Sequence, residues 1–129
     1  MTTQTFYRTV MDTRKDGNLE AAKYATAAVF HALRDRLTPD EADQVLAQLP
    51  RELKTVWEEG EEPERRPLKM HRDEFFERVR REAGLTSTQE ARGMTRAVFA
   101  ALKKQLSPGE TGDVIDQLPK DLKEVWTEA

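Results

Sequence analysis

Apolar residues recur along this chain at helical spacing, and nowhere do they alternate as a strand would. Phe6, Tyr7, Val10 and Met11 share one side of a helix, and so do Phe75, Phe76 and Val79. The longest elements are expected over Leu19–Arg36 and Thr88–Gln105. In the first of these, Ala22, Thr26, Val29, Phe30 and Leu33 lie on one face, which continues to Leu37. Ala21, Ala25, Ala28 and Ala32 make a smooth stripe beside it, across which another helix could pack closely. Such a helix is expected at the centre of its unit. Gly17-Asn18 and the stretch from Gly84 to Thr88 supply helix-ending and helix-capping residues before the long elements.

A third element opens with the clearest local signal, Thr38-Pro39-Asp40-Glu41, repeated as Ser107-Pro108-Gly109-Glu110. The hydroxyl accepts from an orphan backbone N–H, proline has no donor to leave unpaired, and the glutamate is expected to reach back to the cap's own N–H. Val45, Leu46 and Leu49 form its buried edge, matched by Val114, Ile115 and Leu118. Pro50 and Pro119 end it, since proline disfavours helical geometry in the residue before it. A short fourth helix then carries Leu53, Val56 and Trp57, or Leu122, Val125 and Trp126. The repeated Leu-x-x-Val-Trp stripe is the spacing of a core face.

These matches are one gapless self-alignment. Moving the chain by 69 positions superimposes roughly 22 identities over about 60 pairs, the mark of a duplicated unit. The boundaries read as residues 1–60 and 70–129, with a charged, proline-containing linker over 61–69. A unit of about 60 residues buries only about 60% of its unfolded surface and is marginal alone. The expected architecture is therefore all-α: two tandem pseudo-symmetric repeats of about four helices each, packed together as one helical bundle.

The run from Leu37 to Trp57, its counterpart from Leu106 to Trp126, and the preceding Phe75–Gly84 and Ala91–Leu102 segments resemble the bacterial family called domain of unknown function 2267. The resemblance covers essentially the whole chain. It implies an all-helical bacterial protein and no assigned activity, because the matching residue types are those of capping and packing.

Composition narrows the chemistry. The 129 residues are 37% hydrophobic and 35% charged, with net charge −3, so the chain is no polybasic nucleic-acid sponge. Cysteine is absent, which removes disulfides, thiolate metal sites and thiol catalysis together. No membrane span or signal peptide is legible, and a cytoplasmic location is expected.

Candidate catalytic groups are few. His31 lies on the long helix away from its apolar face, opposite Ala100 in the second copy, and reads as an ordinary helix residue. His71 reads as a loop residue. Asp40, Glu41, Asp43, Asp113 and Asp116 cluster around the third helices but lack the spacing of a di-metal bundle or a calcium loop, and favour the helix dipole instead. No phosphate loop and no activated nucleophile are present. No catalytic, metal or cofactor site is expected, and the chain reads as a non-enzyme.

Charge is nevertheless uneven, with about 11 Lys+Arg against about 6 Asp+Glu between Glu64 and Lys104. Arg92, Arg96 and Lys103 fall on one face of the second long helix and are the candidate partner-binding residues. The expected function is a non-catalytic protein-interaction module, engaging an unknown protein or a second copy of itself. Nucleic-acid binding through the same basic face is the alternative.

Overall fold

The computed structural model describes residues 1–129 as eight α-helices and no strands. They are α1 (Thr3–Arg14), α2 (Leu19–Arg36), α3 (Pro39–Ala47), α4 (Arg51–Glu58), α5 (Arg72–Ala83), α6 (Thr88–Gln105), α7 (Pro108–Asp116) and α8 (Lys120–Glu128). Capping chemistry sets most of the starts. Oxygens of Thr2, Asn18, Thr38, Ser87 and Ser107 accept from the backbone N–H three residues on, satisfying one of the donors a helix start leaves over. Gly84 ends α5 in the left-handed region at φ 68°, and Lys15 makes the same turn after α1 at φ 55°.

The packing runs crosswise. α1 lies more extensively on α6 than on its neighbour α2, while α5 packs on both α2 and α6. The long helices also touch each other, and α3 meets α7. Ala25, Ala28 and Ala32 are fully buried alongside Val29, Phe30 and Leu33, so α2 is buried on two adjoining faces, as a central helix must be. One continuous cluster of 31 buried residues results, drawing on all eight helices. Within it run two chains of edge-to-face rings. Phe6, Phe30 and Trp57 have successive centroids 5.6 and 5.3 Å apart, and Phe75, Phe99 and Trp126 follow at 5.9 and 4.8 Å.

Where α3 meets α7, the capping pattern departs from its expected form. Glu41 does not reach back to the Thr38 N–H. Gln117 Oε1 accepts that bond at 2.9 Å, and its amide donates to the Thr38 hydroxyl at 3.2 Å. Gln48 serves Ser107 in the same way, at 2.8 and 3.3 Å. Each glutamine thus caps a helix 59 or 79 residues distant. Relieved of capping, Glu41 and Glu110 turn inward and are each only 6% exposed.

A second polar junction closes the C-terminal end of α2. The buried Arg34 donates to the Trp57 and Glu59 carbonyls at 2.8 and 2.7 Å, finishing α4. Asp35 receives Arg34 at 2.8 Å and Arg78 of α5 at 2.6 Å. Burial opposes the Asp35 charge, but its two arginine hydrogen bonds outweigh that and lower its pKa. Arg78 is therefore committed to Asp35 rather than to Glu74, the partner its own helix offers. The segment between α4 and α5 is tied down here as well: Arg65 donates to the Leu37 and Arg34 carbonyls at 2.8 and 2.6 Å.

His31 belongs to this junction. Its Nδ1 lies 2.6 Å from Glu82 of α5, and its Nε2 lies 2.7 Å from the Val56 carbonyl. Both partners are acceptors, so the ring holds both protons. Burial is the largest single influence and opposes the charge, as does Arg34. The Glu82 and Val56 hydrogen bonds and the Glu82 charge together prevail, and the pKa is raised.

Two outcomes are expected. Trp57→Ala or Trp126→Ala will cost about 3–5 kcal/mol, measured by denaturant unfolding, because each leaves a ring-sized void in a continuous core. Because folding raises the His31 pKa, its stabilisation is complete below the unfolded value of about 6.5 and is lost as pH rises through the folded value. Unfolding free energy measured across neutral to alkaline pH should therefore decline through that window, and His31→Gln should remove that part of the decline.

Candidate anion-binding cleft

The basic face of α6 does not stand alone. The N-terminal turn of α5 lies beside it, and between them opens a cleft of about 560 Å³ lined by Arg72, Arg92 and Arg96, with Phe76, Thr88 and Gly93 among its walls. Arg72 and Thr88 are the first residues of their helices, so two helix N-termini border the cleft and add positive potential to that of the side chains. Arg92 and Arg96 keep 44% and 46% of their side-chain surface exposed. The carboxylate within ion-pair range of both is Glu128 of α8, at 3.4 Å from Arg92 and 4.0 Å from Arg96, and Asp73 also lines the cleft. Arg72 lies 4.0 Å from Asp73, whose side chain is almost wholly in solvent. Contacts this long and exposed leave the guanidinium groups free to exchange partners.

Gly93 shapes the floor. A Cβ at this position would stand 2.1 Å from Nη1 of Arg14, the last residue of α1. The missing side chain lets a fourth guanidinium lie against α6, next to the cleft. The positions 69 residues earlier show what the first half of the chain lacks. Thr3, Lys23, Tyr24 and Ala27 stand there in place of Arg72, Arg92, Gly93 and Arg96. One cation replaces three, and a tyrosine takes the place of the glycine.

The three candidate residues from the sequence part company. Arg92 and Arg96 line the cleft together. Lys103 lies two turns further on, and its Nζ donates to the Trp126 and Ala129 carbonyls at 3.0 and 2.9 Å, finishing α8 as Arg34 finishes α4. Arg72 and Arg14 were not legible as members, because no spacing along one helix connects them to Arg92. The shared helix face of Arg92 and Arg96 was the sequence signal that pointed here.

Neither histidine enters the cleft. His31 is held between Glu82 and Val56, and His71 is the residue before α5, 3.9 Å from Asp121. The residues with the geometry to hold a metal ion are Glu41, Glu110 and Asp113, at the separate contact of α3 with α7. No helix is long and apolar enough to cross a membrane.

No curated protein matches the chain. The family described as uncharacterized conserved protein (DUF2267) matches residues 3–125, a span that includes all four arginines of the cleft region, Trp57 and the glutamine caps. With nearly its whole length covered, the chain belongs to the domain of unknown function 2267 family.

Proposed function

We propose that this protein is a non-catalytic, cytoplasmic interaction module that docks a carboxylate-rich segment of a protein partner in the cleft of Arg72, Arg92 and Arg96. The observation that carries the reading is the placement of three guanidinium groups around one open cleft. The equivalent face of the first half has a single lysine. Arginine forks suit carboxylates because two parallel N–H donors match the two oxygens. An exposed site of this kind uses charge for encounter rate and partner choice more than for raw affinity. The lining has no histidine or cysteine, and its one carboxylate, Asp73, is solvent-exposed beside Arg72, so binding rather than turnover is the chemistry the cleft supports best.

Nucleic acid is the second reading, since phosphates also fit an arginine fork. It has less support. The cleft's aromatic residue, Phe76, is only 5% exposed and offers no face on which a base could stack.

Anisotropy titrations with a labelled oligo-glutamate peptide and a labelled single-stranded oligonucleotide test both. The peptide should bind wild type in low salt and weaken by about tenfold in an Arg92→Ala/Arg96→Ala variant with an unchanged melting temperature, since these exposed side chains support no core contact. Equal peptide binding by both proteins would defeat the proposal. Tight oligonucleotide binding with a steep salt slope, lost in the same variant, would put the second reading first.

A further inference from the structure

Outside the cleft, the least compensated charge in the molecule lies where α3 meets α7. Glu41 comes from the first turn of α3, and Glu110 comes from the first turn of α7. Each residue is 6% exposed, and each has a carboxylate oxygen, Oε1 of Glu41 and Oε2 of Glu110, that is buried and has no hydrogen-bond partner. Asp113, one turn beyond Glu110, brings a third carboxylate. One oxygen from each of the three lies within 4.8 Å of the others. No lysine, arginine or histidine forms an ion pair with any of them.

We propose that Glu41, Glu110 and Asp113 form a site for one divalent cation of calcium size, bound between α3 and α7.

Two buried carboxylates facing each other are costly unless something positive lies between them. Helix N-termini favour one negative charge nearby, but their half-charges do not balance three carboxylates converging on one point. The donors are all oxygen and include no sulfur or imidazole. That set selects hard cations such as Ca²⁺, Mn²⁺ or Mg²⁺ over zinc or copper. Geometry narrows it further. Oxygens within 4.8 Å of one another can all reach a Ca²⁺ ion at its usual distance of about 2.3–2.6 Å, and Ca²⁺ accepts an irregular carboxylate set where Mg²⁺ demands a near-ideal octahedron. Asp113 is exposed, which leaves a route from solvent to the two buried ligands. The remaining coordination positions would be filled by water entering on that side.

This assignment is independent of the arginine cleft, and its test uses different residues. Protein stripped with a chelator and dialysed is titrated calorimetrically with Ca²⁺, Mn²⁺ and Mg²⁺, and its melting temperature is followed in each. Wild type should take up one Ca²⁺ per chain, more tightly than Mg²⁺. At a concentration ten times the dissociation constant its melting temperature should rise by about 4 °C. Asp113→Ala, which removes an exposed side chain and so keeps the fold, should weaken Ca²⁺ uptake at least about tenfold. Glu110→Gln should abolish the calcium-dependent rise, read as the increment within that variant so that its own stability does not matter. A wild-type protein that gives neither heat nor a melting shift up to about 5 mM Ca²⁺ or Mn²⁺ overturns the proposal, as does a shift that survives undiminished in both variants.

Discussion

The structure turns on a single constraint: the long helix of each half is buried in part by the other half. A unit of about 60 residues removes so little surface from water that it is only marginally stable alone. α1 therefore lies chiefly on α6, and α5 crosses to α2, so each central helix is covered in part by the other half. The polar contacts follow the same crossing. Gln117 and Gln48 cap the opposite halves' third helices, Arg78 crosses to Asp35, and Glu82 crosses to His31. Each of these bonds is available only once the crosswise burial has formed.

This explains what could be read from the sequence and what could not. Helix boundaries are local events, written in caps, prolines and spacing, and Leu19–Arg36 and Thr88–Gln105 form as their patterns indicate. The central position of α2 was legible from its alanine stripe. Partners of polar side chains were not. Thr38-Pro39-Asp40-Glu41 suggests a box closed within four residues, yet its second bond comes from Gln117. Glu74 and Arg78 suggest a pair on one helix face, yet Asp35 takes the arginine. His31 gave no sign of holding an inter-helix ion pair, because its partners are 51 and 25 residues away. Even the repeated glutamines and glutamates, identical in both copies, showed only that the positions matter.

The candidate site divides along the same line. Arg92 and Arg96 share one helix face and so were visible together. Arg72 and Arg14 reach that face from α5 and α1, a proximity that only packing creates. Lys103 shares the face in a helical projection, but the end of α8 captures it. Identities between the copies concentrate in the core, at the caps and at Glu41 and Glu110. The arginines and Gly93 occur only in the second half, where the core does not dictate the side chain. Such positions can differ between the halves without disturbing the core, and here they place a positively charged cleft on one side.

The most direct test of shared burial is whether the two halves unfold as one. Trp57→Phe leaves Trp126 to report on the second half of the chain, and Trp126→Phe leaves Trp57 to report on the first. In denaturant, the fluorescence of the remaining tryptophan and the helical circular dichroism of each variant should trace a single transition with one midpoint. A biphasic dichroism curve, with each tryptophan following a different phase, would show that each half holds its own core and would contradict the crosswise constraint.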